Sequence, residues 1–171
     1  MTRYGPYAET TPRGQTGWLD GARRPVPEHL RLMLGHLDGV GKYTYSIWRA
    51  TNPESIIVTR KDTGDTFLQA AGSASAMTLE IRKPGPDGKG RLYTVGRGAA
   101  TGEATILIPI NDERAVRVFA DEVFSADDAA AVFTQYYETG TLAEPFVFRE
   151  LDPSFVGGPQ EDEVLDEGRR T

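Results

Sequence analysis

The chain of 171 residues contains no cysteine. Disulfides, thiolate metal sites and cysteine nucleophiles are thereby excluded. No long apolar run is present either; a membrane-spanning helix needs roughly 20 such residues. The opening Met1-Thr-Arg-Tyr-Gly-Pro-Tyr7 lacks the apolar core of a secretory signal. Basic residues are in deficit, with 19 Lys and Arg against 25 Asp and Glu and a formal net charge of −6. Broad electrostatic binding of nucleic acid requires clustered Lys and Arg, so that balance argues against it and leaves a basic protein partner open. The expectation is a soluble, cytoplasmic protein with no membrane contact and no direct nucleic-acid contact.

The composition that remains, 39% hydrophobic and 26% charged, is ordinary for one globular domain. Its most legible stretch is 125–140. Ser125 suits a helix N-cap, Asp127 and Asp128 sit where the helix dipole favours negative charge, and Gly140 suits a left-handed stop. Phe124 precedes the cap in the position of a hydrophobic staple over Ala129. Ala129, Val132, Phe133 and Tyr136 follow the spacing of one buried helical face. A second, shorter helix is expected over 27–37, with Pro27 in its first turn and Leu30, Met33, Leu34 and Leu37 as its apolar stripe.

Strands are expected at 43–49, 55–60, 66–70, 77–83, 91–95, 105–110, 114–118 and 145–151, with turns at 52–53, 62–65 and 84–90. Residues 77–83 alternate most cleanly: Met77, Leu79 and Ile81 on a core face, Thr78, Glu80 and Arg82 on a wet one. Pro109 marks an edge position or a bulge. Hairpin-spaced strands followed by a helix, without regular β-α alternation, indicate an α+β fold. The picture is an antiparallel meander sheet packed against a C-terminal helix and a short N-terminal helix. Residues 1–24 lack periodicity and are expected to form a flexible arm. Residues 25–152 make the single domain, and 153–171 an acidic, disordered tail carrying Glu161, Asp162, Glu163, Asp166 and Glu167.

Few residues carry chemistry. His29 and His36, the 2 histidines, lie two helical turns apart, too far for joint ligation of one ion. Gly39-Val-Gly-Lys42-Tyr43-Thr44 fails as a phosphate loop, because Tyr43 stands where Ser or Thr must follow the lysine. Gly88-Lys89-Gly90 fails for the same reason. Ser73 and Ser75 have no elbow motif or neighbouring histidine. Adjacent carboxylates, Asp112 with Glu113, Asp121 with Glu122 and Asp127 with Asp128, do not make a hydrolytic pair, which needs two carboxyls facing across a cleft. All six fall at connections around the second helix, where they could emerge on one edge as a negative patch for a basic partner. No catalytic residue, metal site or cofactor is expected, nor a deep cavity with converging ionisable groups.

The segment 106–151 carries a resemblance. It runs strand, Asp121-Glu-Val-Phe124, a Ser-capped acidic start, Ala129-Ala-Ala-Val-Phe133, Tyr136-Tyr137-Glu-Thr-Gly140, then Phe146-Val-Phe-Arg149-Glu-Leu151. This pattern is similar to immunity proteins of the deaminase-toxin type from bacterial, chiefly actinobacterial, polymorphic toxin systems. The hairpin around Met77 to Val95 fits the earlier part. Where that family's last strand closes on an aromatic, often Trp, this chain has Arg149-Glu150-Leu151. The resemblance implies a non-catalytic antitoxin that binds and neutralises a cognate protein toxin. The acidic balance suits a basic toxin, and Asp112, Glu113, Asp121, Glu122, Asp127 and Asp128 are the candidate contacts. Two alternatives stand beside it: a general interaction or accessory domain, and a small-ligand protein or enzyme with a pocket between helix and sheet lined by Tyr43, Tyr45 and Trp48. Oligomeric state is left open.

Overall fold

A computed structural model describes residues 6–59 and 66–157. The expected turn at 62–65 and most of the acidic tail lie outside the described residues. Strands β1 (Tyr7–Thr10) and β2 (Thr16–Trp18) lead into helix α1 (Val26–Gly35). Strands β3 (Thr44–Arg49), β4 (Phe67–Gly72), β5 (Met77–Pro84) and β6 (Gly90–Gly96) follow, then β7 (Ile106–Pro109) and β8 (Ala115–Val118). A 3-10 turn at Ala120–Glu122 precedes helix α2 (Ala126–Thr139), and β9 (Val147–Glu150) and β10 (Val156–Gly157) close the chain. The fold is α+β. Seven antiparallel strands form the main sheet in the order β2-β1-β3-β4-β5-β6-β9, and a three-stranded sheet has the order β10-β8-β7. Among the described residues no helix is long and apolar enough to cross a membrane.

Two segments of the stretch expected as a flexible arm, Tyr7–Thr10 and Thr16–Trp18, are part of the sheet. β1 lies between β2 and β3, with Ala8 opposite both Trp18 and Trp48. Four-residue and three-residue strands are too short to show a period of two, and the longer partner of β1 is β3, some forty residues on. At the other end, the tail assigned to begin at 153 still holds structure: Pro153–Phe155 forms a 3-10 turn and Val156 pairs with Val116 of β8. The domain therefore reaches beyond 25–152 in both directions. The strand expected from 55 does not form. Ile56 and Ile57 are 75% and 73% exposed in an irregular loop, tied down by the Trp18 indole N–H donating to the Ile56 carbonyl at 3.2 Å. β3 is already paired on both edges, so a β-branched run beside it has no ladder to join.

α1 and α2 pack together on one face of the main sheet. Leu30 and Leu34 of α1 and Ala129, Val132, Phe133 and Tyr136 of α2 are buried against Tyr45, Ile47, Leu68, Leu79 and Ile81. α2 is bounded as its sequence implies. The Ser125 hydroxyl accepts from the Asp128 N–H at 3.2 Å, and Gly140, at φ 76°, donates its N–H to the Tyr136 carbonyl. Ser125→Ala is expected to lower stability by about 1 kcal/mol, measured by urea unfolding. The opposite face of the sheet is not uniformly wet. β7 packs on β4 so closely that a Cβ at Gly72 would meet Ile108 at 2.8 Å, and Gly72 itself has φ 128°. Thr78, placed on the solvent side by its alternation in β5, is buried there. Burial pushes the Glu80 carboxyl above its ordinary range. Pro109 lies on β7, an edge strand of the small sheet.

Candidate functional site

The six candidate carboxylates divide into different environments. Glu122 is 2% exposed and accepts from Nε and Nη2 of Arg149, both at 2.8 Å, so it belongs to the interior and not to a surface patch. Its other bond is from the Phe119 N–H at 2.9 Å. Asp112 and Glu113 lie in the turn between β7 and β8, where Asp112 accepts from the Tyr43 hydroxyl at 2.7 Å. Asp121 sits in the 3-10 turn, its carbonyl accepting from the Arg97 N–H. Asp127 and Asp128 occupy the first turn of α2 with side chains 81% and 61% exposed. Asp127 pairs with Arg31 of α1, and Asp128 with Arg97 at 3.8 Å. Both arginines are themselves open to solvent, and such surface pairs contribute little.

Tyr43, Tyr45 and Trp48 do not share a pocket. Successive strand residues point to opposite faces. Tyr45 is buried beneath the helices, Trp48 lies in the apolar cluster of the other face with Ala8, Ala50 and Val58, and Tyr43 reaches Asp112.

The site that emerges lies elsewhere, between the N-terminal hairpin and α1. A cleft of about 540 Å³ opens there, lined by Glu9, Trp18, Asp20, Arg23, Arg24, His29, Met33 and His36 among others. This departs from the expectation that no cavity gathers ionisable groups. Its floor is a three-residue chain. Tyr7 and Glu9 alternate onto the helix face of β1, which turns the Glu9 carboxylate inward, where it is buried. His29 Nε2 lies 2.9 Å from both carboxylate oxygens, and the Tyr45 hydroxyl donates to Oε2 at 2.5 Å. A carboxylate only accepts, so Nε2 carries the proton. Tyr45 is held by stacking on Phe133 of α2, with centroids 5.6 Å apart.

This arrangement has the acid–base half of a hydrolytic relay. Among the described residues none that lines the cleft carries a hydroxyl or thiol nucleophile at its mouth. Nor is any group of three or more His, Asp or Glu among them placed to hold a metal ion. Two histidines seven apart do face one cleft, a convergence the helical spacing allows; the partner of His29 is invisible in sequence because Glu9 lies in the stretch read as an arm.

No known family, curated protein or solved structure matches this chain.

Buried tyrosines give the site a pH signature. Burial, then the Glu9 charge, holds the Tyr45 hydroxyl well above its ordinary range; burial also raises Tyr7 and pushes Tyr136 up to about 12. As pH rises past the ordinary tyrosine pKa of about 10, the unfolded chain releases these protons while the folded chain keeps them. Stability is thus full below about pH 10 and falls as pH climbs through the raised values. Thermal melts between about pH 9 and 12 should show this decline, with a shallower slope for Tyr45→Phe.

Proposed function

We propose that this chain is a non-catalytic immunity protein that binds and neutralises a cognate toxin domain. The reading rests on the pattern of residues 106–151, and one observation of geometry supports it. The exposed start of α2 carries Asp127 and Asp128, balanced only by solvent-exposed arginines. Pairs of that kind exchange readily, so basic side chains of a partner can take the place of Arg31 and Arg97. Asp112, Glu113 and Asp121 remain candidate contacts; Glu122 is committed to Arg149.

Co-expression with the product of the neighbouring gene tests the reading. A stable complex together with cell survival supports it. Asp127→Lys with Asp128→Lys should then slow association about tenfold and weaken its salt dependence, read by stopped-flow or surface binding kinetics. A complex without rescue would favour a general interaction domain, and neither complex nor rescue would overturn the proposal.

A further inference from the structure

We propose that the cleft between the N-terminal hairpin and α1 binds a small organic anion: an apolar body ending in a phosphate or carboxylate group. The proposal stands apart from toxin binding and uses none of the same residues.

Size comes first. At about 540 Å³ the cleft lies within the range of small-molecule sites, roughly 300–1,000 Å³. Next is the distribution of charge. Arg31, Arg91, Arg97 and Arg149 each have a carboxylate partner. Arg23 and Arg24 both line the cleft, and among the described residues neither has a carboxylate partner. Two carboxylates, Glu9 and Asp20, line the same cleft. Asp20 accepts from the Ala22 N–H at 2.9 Å, forming the turn that presents the two arginines. Glu9 is occupied by His29 and Tyr45. The guanidinium groups are therefore left to an incoming anion, for which their fork of N–H donors is well shaped.

The remaining walls suit the other end of such a ligand. Trp18 and Met33 line the cleft, and Leu32 on the same wall is a large apolar side chain left 38% exposed. The Glu9 bond fixes the His29 ring through Nε2. Its position is thus set before any ligand arrives, which lowers the ordering cost of binding.

Phenyl phosphate and phenylacetate are the probes for the two anionic groups, with benzamidine as the cationic counterpart and inorganic phosphate as the headgroup alone. Calorimetry and the ring signals of His29 and His36 in NMR spectra of the full chain provide the readouts. The expected result is saturable binding of phenyl phosphate, phenylacetate or both, with both histidines shifted. The relative affinity of these two tells which anionic group the site prefers. Arg23→Ala with Arg24→Ala should weaken binding at least about tenfold, the loss of one charge-assisted contact or more. Because the two arginines make no ion pair among the described residues, the melting temperature of that variant should be unchanged. Benzamidine binding as tightly as the anions, wild-type affinity in the double variant, or no saturation by about 10 mM would overturn the proposal. Inorganic phosphate binding as tightly as phenyl phosphate would remove the apolar part of it.

Discussion

Phe133→Asp is expected to abolish cooperative folding. Phe133 is fully buried at the centre of the α2 face, with its ring stacked on Tyr45. Truncating such a ring to alanine costs about 3–5 kcal/mol through lost transfer energy and the void left behind. An aspartate adds a carboxylate with no partner in an apolar site, which must either ionise at great cost or fold protonated. Total domain stability is commonly about 5–15 kcal/mol, so the combined loss takes most or all of it. Far-UV circular dichroism and a urea titration check this. Phe133→Leu, which keeps much of the apolar volume, should retain a sharp transition with a loss of about 1 kcal/mol. A cooperative, wild-type melt for Phe133→Asp would show that α2 does not bury this face. Tyr45 would lose its stacking partner in the same variant, so the Glu9–His29 floor of the cleft should loosen with it.

Arg149→Ala is the second large effect, expected at about 3–5 kcal/mol. The guanidinium of Arg149 clasps the buried Glu122 carboxylate with two bonds of 2.8 Å and lies over the rings of Phe119 and Phe155, at 5.2 and 5.0 Å. Arg149 belongs to β9 at the edge of the main sheet, Glu122 to the turn leading into α2, and Phe155 to the turn before β10. Removing the arginine leaves a carboxylate 2% exposed with no cation and parts three elements at once. Arg149→Lys keeps the charge without the planar fork and should fall between wild type and alanine. Arg149→Met combined with Glu122→Gln should cost less than Arg149→Met alone, because no unpaired charge then remains in the interior. Urea unfolding of the wild type and the four variants measures all of this. A loss below about 1 kcal/mol for Arg149→Ala would place the pair among ordinary surface bridges.

The parts of the fold that could be read ahead were those with local causes. Ser125, the periodic face of α2 and Gly140 each act within a few residues, so their chemistry identifies a helix without knowledge of its surroundings. The hairpin of β5 and β6 is similar, since alternation and a Pro/Gly turn lie side by side in the chain. β8, expected as a strand over 114–118, is paired along its length by β7, from Ile106↔Val118 to Pro109↔Ala115. β1 had no such signal. Its place depends on β3, and nothing near Tyr7–Thr10 announces that partner. The cleft was hidden for the same reason. Glu9, His29 and Tyr45 are separated by 20 and 36 residues from Glu9 onward, and no motif links them. Arg23 and Arg24 fell in the stretch 1–24 expected as a flexible arm.

From its sequence alone this protein was determined to be a cysteine-free, acidic α+β chain with an α2 of known bounds and a known buried face. Those properties follow from composition and from interactions a few residues long. Only the tertiary structure decided that Tyr7–Thr10 and Thr16–Trp18 join the sheet, that Glu122 is an interior ion-pair partner, and that Glu9 meets His29 and Tyr45 in a cleft lined by Arg23 and Arg24. Each of these depends on which distant segments are brought together, and a carboxylate becomes surface charge, buried partner or cleft floor according to what packs over it.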